Sequence, residues 1–446
     1  MGALPRVVLA APASGSGKTT AALALIAALG RAGERVQPFK VGPDYIDPSH
    51  VGAAAGRAPY NLDTFFLDHA GLRGLFAHAM VGATVAVVEG VMGMFDGPQG
   101  AAREGSTADA AAALAAPVIL VVDAGGMAAS IAALARGFAD FDGRVHVAGV
   151  IANRVGSERH AELLREALGA VGLPLLGWIP NSPSLALRER HLGLVLAGET
   201  GVDRAALEAA GERFDVTGVL RVARAAPPLP PGREVFPEAR PPRIRLGWAE
   251  DAAFRFTYPE TRDLLGRLGA EVVPFRPLVD ERLPAVDALY LGGGYPELHV
   301  EALEANAPMR AAIRAFRGPI LAECGGYLYL AQGLAGMDGV RRAMVGLVPG
   351  EGAMADRPVL GYREVVALRE SPVALPGWTF RGHEFHYARL AASASPAWRQ
   401  AGGEAVEGYA DGRVLASFIH LYLLAAPAAA ERFVRRAEAA REAAAG

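Results

Sequence analysis

ILAECGGYLYL, residues 320–330, contains Cys324, the only cysteine in a chain of 446 residues. The apolar run 319–322 reads as a buried strand, Gly325 and Gly326 as a tight turn, and Tyr327 onward as a helix. A thiol on such an elbow faces backbone N–H groups and the positive end of a helix dipole, and both favour the reactive thiolate. A lone cysteine is otherwise a small buried hydrophobe. The elbow therefore marks a nucleophile if the chain also supplies a base and an oxyanion hole.

Both are present in the flanking sequence. His420 ends the apolar stretch of RVLASFIHLYL, residues 413–423, where its ring would emerge from the same sheet edge as Cys324 and act as the base. The turn GGGYPE, residues 292–297, offers the N–H groups of Gly293 and Gly294, which with that of Gly325 would hold an oxyanion. HEFH, residues 383–386, does not read as zinc. The metalloprotease motif sets its histidines four apart on a helix, whereas His383 and His386 are three apart in a strand-like segment.

Strands and helices alternate on the N-terminal side of the elbow: strand 243–251, helix 257–269, strand 270–277, strand 286–291, helix 308–318. Such alternation implies a doubly wound α/β fold with a parallel sheet. Seven prolines between Pro227 and Pro242 precede it, and they read as a semi-rigid linker. The expected organisation is residues 1–224 as one domain, 225–242 as linker and 243–446 as a second domain.

The first domain opens on a strand, the loop SGSGKTT (residues 14–20) and a helix closed by Gly33. Backbone N–H groups around Gly15 and Gly17 would cradle phosphates at the helix N-terminus. Lys18 would reach the β and γ phosphates and Thr19 would ligate Mg²⁺, with Thr20 beside it. The opening glycine of the strict pattern is missing, because Pro12 or Ala11 stands there. KVGPDYIDPSH (residues 40–50) places Lys40, Asp44 and Asp47 on a stiff loop at a strand's carboxyl end, where doubly wound folds bind ligands. Glu89 ends the strand of TVAVVEGVMGMFDG (residues 84–97) at a Walker B-like position, and Asp96 follows in its loop. Ser106 and Thr107 lie at the start of the next helix. Asp123 and Asn153 end two further strands, where Asn153 could read an adenine edge. Residues 173–180 and 184–196 complete the domain.

Composition narrows the setting. The formal charge of −3 leaves no basic footprint for nucleic acid. One cysteine excludes an intrachain disulfide and fits a reducing cytosol. The start of the chain lacks a signal peptide's pattern, and the longest apolar run (residues 110–122) is too short to span a bilayer. A cytoplasmic protein is expected, with no membrane partner. Lysine occurs only at Lys18 and Lys40 among 44 basic residues. A chain that uses arginine almost everywhere keeps lysine where a compact ammonium is needed.

Together these motifs resemble cobyrinic acid and hydrogenobyrinic acid a,c-diamide synthases, the glutamine-hydrolysing amidating enzymes of cobalamin biosynthesis. The likeness rests on SGSGKTT, KVGPDYIDPSH, NLDTFF (61–66), VEGVMGMFDG, GSTAD (105–109) and RHLGL (190–194). GGGYPE, AECGGYLYL, RGHEFHY (381–387) and ASFIH (416–420) carry it in the second half. It implies a dethiobiotin synthetase-like P-loop domain joined to a class I glutamine amidotransferase domain with a flavodoxin-like core. It also implies an ATP-dependent carbon–nitrogen ligase with ATP and Mg²⁺ as cofactors, and glutamine and a corrinoid macrocycle as partners; a homodimer is compatible with it.

In such an enzyme a macrocycle carboxylate becomes an acyl phosphate. Glutamine passes through a thioester on Cys324 with His420 moving protons, and the released ammonia forms the amide, at two side chains in turn. Gly15, Gly17, Lys18, Thr19, Thr20, Lys40 and Asn153 would serve the nucleotide, and Thr19, Asp47 and Glu89 the metal. Asp44 and Asp96 would serve the substrate, although metal and substrate tasks among the three aspartates stay undivided. Most class I amidotransferases carry glutamate two residues after the catalytic histidine. Tyr422 stands there, which implies a Cys–His dyad. Asn181 occupies a position often basic in relatives. Two alternatives stay open: a cobyric acid synthase-type ligase, disfavoured by KVGPDYIDP, and a non-catalytic P-loop switch protein.

Overall fold

The computed structural model describes residues 4–97, 104–185, 189–190, 193–194, 203–390 and 394–445. Residues 186–188, 191–192 and 195–196 of the 184–196 segment, including His191 and Leu192 of the RHLGL motif, lie outside them. The chain divides into two compact units, Met1–Val235 and Phe236–Gly446, and the division falls inside the proline-rich stretch. The last residues of the first unit lie along its surface. Arg233 N–H donates to Ala70 O at 2.8 Å and Arg73 Nε to Pro231 O at 2.8 Å. Gly74 permits this approach, since a Cβ there would sit 1.8 Å from Arg233 O.

The first unit is built on a seven-stranded sheet, all of it parallel. Its order is Tyr60–Leu62, Val36–Val41, Val85–Glu89, Arg6–Ala10, Val118–Asp123, Val147–Val155, Leu175–Pro180. Strands such as RVVLA, VAVVE and VILVVD are buried along nearly their whole length, as a parallel sheet covered by helices on both faces requires. The order sets Val36–Val41, Val85–Glu89 and Arg6–Ala10 side by side. Their carboxyl ends therefore bring together the Lys40–Asp47 loop, Glu89 and the glycine-rich loop. Helix Lys18–Arg31 begins at Gly17, whose φ of 98° is left-handed. A side chain at Gly17 would also collide with Asn153, whose Nδ2 lies 2.1 Å from the position of a Cβ.

The second unit contains a six-stranded sheet in the order Ala270–Phe275, Ile244–Ala249, Ala288–Leu291, Ile320–Glu323, Val414–Ser417, Tyr409–Ala410. It is parallel except for Tyr409–Ala410. A second, mainly antiparallel sheet accompanies it, built around the long pair Val348–Ala367 and Thr379–Leu390. The sequence pattern did not announce this second sheet. RGHEFHY lies in its Thr379–Leu390 strand, and His420–Leu421 pairs with that strand at its edge (His383 opposite His420). Strand Ile320–Glu323 runs into Cys324 and then into helix Gly325–Leu330, only six residues long, before strand Ala331–Ala335. Among the described residues no helix is long and apolar enough to cross a membrane.

Candidate active sites

In the first unit a cavity of about 580 Å³ opens over the glycine-rich loop. Its wall includes Gly15, Gly17, Lys18, Thr19, Thr20, Lys40, Asp44, Asp47 and Asn153, so the expected nucleotide residues converge on one space. Lys18 Nζ donates to Met92 O at 2.6 Å and reaches Ala13 O at 3.5 Å. Burial, and then the neighbouring Lys40, lower its pKa to about 8. Thr19 Oγ1 donates to Glu89 Oε1 at 2.7 Å. Thr20 Oγ1 reaches Leu185 O at 3.5 Å.

Lys40 lies beneath this surface with its ammonium amid carboxylates: 2.6 Å from Asp47 Oδ2, 3.1 Å from Glu89 Oε1 and 3.6 Å from Asp44 Oδ2. Burial alone would depress its pKa, but Asp47, Glu89 and Asp44 outweigh that and raise it, so Lys40 stays charged. Burial lifts Glu89 to about 7 against the pull of Lys40. Asp47 is held below its ordinary value because Lys40 overcomes its burial. Burial and the adjacent Asp47 raise Asp44 to about 6.

Among the described residues no cluster of three His, Cys, Asp or Glu side chains is arranged around a metal. Asp47 Oδ1 and Glu89 Oε2 are nevertheless buried with no hydrogen-bond partner. With Thr19 Oγ1 they form a hard oxygen donor set, and that chemistry fits Mg²⁺.

Two expected residues sit differently from the sequence reading. Asn153 Nδ2 donates to Ser16 O at 3.0 Å, so one amide N–H braces the phosphate loop and the second N–H and the carbonyl oxygen are what remain to read a base. Asp96 Oδ2 accepts from Gly93 N–H at 3.0 Å and shapes its own loop. It is not among the residues lining the cavity. Sequence reasoning missed the part of the wall formed by Arg154, Pro180, Ser182, Pro183 and Leu185. Arg154 carries one of the few left-handed non-glycine backbones, φ 56°, which no local pattern signals. Asn181, noted as a departure, belongs to this wall.

In the second unit Cys324 has the strained backbone of an elbow, φ 48° and ψ −102°. Its N–H donates to Ser417 O at 2.7 Å, and Gly326 N–H donates to Gly292 O at 3.0 Å. The elbow is thus tied to both the His420 segment and the glycine turn. Sγ lies 4.0 Å from Phe385 O as a donor, and the Gly325 N–H hydrogen-bonds the sulfur. The thiol is not the stabilised thiolate that the elbow suggests. Burial first, then the Glu297, Glu323 and Glu384 carboxylates, drive its pKa far up, with only the Gly325 N–H opposing them. The following helix is too short to reverse that balance.

The expected oxyanion donors separate. Gly293 exchanges backbone hydrogen bonds with Phe256, its N–H donating to Phe256 O at 3.1 Å, so it is already engaged. Gly294, with φ 154°, packs against the elbow, its nitrogen 2.9 Å from where a Cβ of Gly325 would stand. Gly294 and Gly325 are therefore the better-placed pair.

His420 is 2% exposed, and its ring stacks on His383 at 4.9 Å between centroids. Nδ1 faces Glu323 Oε2 at 3.8 Å. Burial, then His383 and His386, hold its pKa well below the ordinary value, which keeps the imidazole neutral and able to accept a proton. His383 Nδ1 meets Tyr258 Oη at 3.0 Å, and burial lowers it to about 3. His386 stacks on Phe418 and pairs with Glu384, which also binds Arg363. Tyr422 packs edge-on against Tyr258.

Residues 7–195 match the CobQ/CobB/MinD/ParA nucleotide binding domain, and residues 245–428 match the CobB/CobQ-like glutamine amidotransferase domain. The cobyrinate a,c-diamide synthase of Syntrophotalea carbinolica is 45% identical over 96% of this chain and 98% of its own length. The hydrogenobyrinate a,c-diamide synthase of Streptomyces coelicolor is 42% identical over 97% of this chain and 98% of its own. The Gloeobacter violaceus cobyrinate a,c-diamide synthase is 42% identical over 96% of each chain. With a nucleotide-binding unit and a glutamine amidotransferase unit in one polypeptide, and relatives this similar along its length, the chain belongs to the cobyrinate and hydrogenobyrinate a,c-diamide synthase family of ATP-dependent, glutamine-using amide ligases.

Proposed function

We propose that this enzyme converts the a and c carboxylates of cobyrinic or hydrogenobyrinic acid to amides, using ATP and glutamine. The observation that carries this reading is end-to-end similarity to enzymes of that name, combined with a phosphate-loop cavity and an elbow cysteine in the same chain. In the first unit the loop N–H groups and Lys18 receive the nucleotide phosphates, and a carboxylate oxygen of the macrocycle attacks the γ phosphorus to release ADP and leave an acyl phosphate. Lys40 keeps Asp47 and Glu89 poised as charged or chargeable oxygen donors. Thr19, Asp47 and Glu89 would hold Mg²⁺, which would offset charge on the phosphates. Asp44 lines the cavity wall and would face the macrocycle.

In the second unit Cys324 Sγ attacks the side-chain carbonyl carbon of glutamine while His420 takes the thiol proton. The oxyanion meets the Gly294 and Gly325 N–H groups. His420 returns the proton to the leaving nitrogen, the C–N bond breaks and ammonia departs. Water then hydrolyses the thioester to glutamate. Burial and the neighbouring carboxylates raise the thiol pKa, so proton transfer to His420 accompanies the attack of the sulfur. Ammonia displaces phosphate from the acyl phosphate to form the amide. Mass spectrometry of corrinoid products tests the reading: two ATP- and glutamine-dependent amidations are expected. Four would assign amidation of other corrin carboxylates, and none would overturn catalysis.

A further inference from the structure

Glu323 immediately precedes the nucleophile and is 2% exposed. Its carboxylate is held on two sides. Tyr290 Oη donates to Oε2 at 2.6 Å, and the Leu421 N–H donates to Oε1 at 2.9 Å. Leu421 is the residue after His420, so the same carboxylate grips the backbone that carries the base. The imidazole is oriented to match. Its Nδ1 lies 3.8 Å from Glu323 Oε2. Its opposite edge faces the glycine turn: a Cβ on Gly293 would lie 2.5 Å from Cε1 and 3.1 Å from Nε2.

We propose that Glu323 is the positioning residue of His420, supplying from beside the nucleophile the acid that Tyr422 fails to supply after the histidine. The carboxylate holds the Nδ1–H tautomer, so Nε2 carries the lone pair that takes the Cys324 proton, and it stabilises the imidazolium formed in that step. A separation of 3.8 Å is an ion-pairing approach and not a hydrogen bond, so the carboxylate acts on the ring through charge and through its grip on the Leu421 backbone. His383 stacks on the ring face and Gly293 closes its far edge, so Glu323 is the carboxylate facing Nδ1 at ion-pairing distance. The inference rests on the glutaminase reading above.

Glu323→Gln tests it, because glutamine keeps the shape and an acceptor for Leu421 but no charge. Glutamine-dependent kcat should fall at least about tenfold, with KM for glutamine within about twofold and ammonia-dependent amidation retained. Iodoacetamide labelling of Cys324, the only cysteine, supplies a readout that needs no corrinoid. Removing the Glu323 charge by itself would ease ionisation of Cys324, so labelling at neutral pH that nevertheless slows toward the rate of His420→Ala reports loss of the oriented base. Glutamine-dependent kcat within about twofold of wild type would overturn the proposal. If ammonia-dependent activity is also lost, labelling decides: slower labelling supports the proposal, and equal or faster labelling overturns it. Failure of the wild type to amidate a corrinoid would count against the function proposed above and not against this role, since alkylation reports the Glu323–His420–Cys324 coupling directly.

Discussion

Glu297 sits three residues beyond Gly294 in the short turn Pro296–Leu298, 6% exposed, with Oε2 lacking a hydrogen-bond partner. Burial raises its pKa from 4.5 to about 7. Between those values the folded chain keeps a proton that the unfolded chain has lost. Stability from this residue is therefore full below pH 4.5 and declines as pH rises through 7. The shift of about 2.5 pH units caps the loss at about 3 kcal/mol by pH 8. Glu297→Gln should raise the melting temperature of the second unit at pH 8 and leave it near wild type at pH 5. Thermal denaturation at both pH values checks this, and an equal gain at both would mean the effect is packing, not charge. At this scale the sequence was only partly legible. Lys18 and Thr19 could be placed because motif spacing fixes them at a helix start, and Lys40 and Glu89 because they stand at strand ends. The engagement of Gly293 could not, since it depends on a bridge to Phe256, 37 positions away (293 − 256). The aim of Glu323 depends on the elbow's backbone, which the sequence does not display.

At the scale of elements, the parallel sheets were legible because apolar strands and amphipathic helices alternate with glycine-marked turns. The sheet around Val348–Ala367 was not. That strand contains Pro349, Gly350, Gly352, Pro358 and Gly361, and its register shifts between Met354 and Val359. Proline and glycine weaken any strand pattern, and only pairing with Thr379–Leu390 rescues it. The elbow shows the opposite case, where glycine is the signal. A Cβ on Gly326 would come within 2.2 Å of Leu291 O, a backbone atom that cannot step aside without moving strand Ala288–Leu291. Gly326→Ala should therefore shift Cys324 relative to the glycine turn and cut glutamine-dependent turnover at least about 100-fold. Steady-state assays with glutamine and with ammonium chloride separate the effects. Only the glutamine rate should fall, and an unchanged rate would show that the elbow tolerates the displacement.

At the scale of the molecule, the two units have separate cores. One gathers residues from Val7 to Ala223 around the first sheet, and the other residues from Ala249 to Phe418 around the second. No packing in either core requires the chemistry of the other, so ATP-driven activation and glutamine hydrolysis should fail independently. Cys324→Ala removes one sulfur atom from a buried position and keeps the backbone N–H bond to Ser417 O, a truncation expected to cost only about 1 kcal/mol. Glutamine-supported amidation should vanish, because no other cysteine exists to form the thioester. Amidation supported by ammonium chloride at alkaline pH, where free ammonia is abundant, should persist within about twofold of wild type. The two rates measured on one preparation make the comparison internal, and a cooperative melt at the wild-type temperature excludes a fold defect confined to the second unit. Loss of both in a protein that still melts cooperatively would mean that the cysteine also sustains the synthetase reaction, and the division of labour between the units would have to be abandoned.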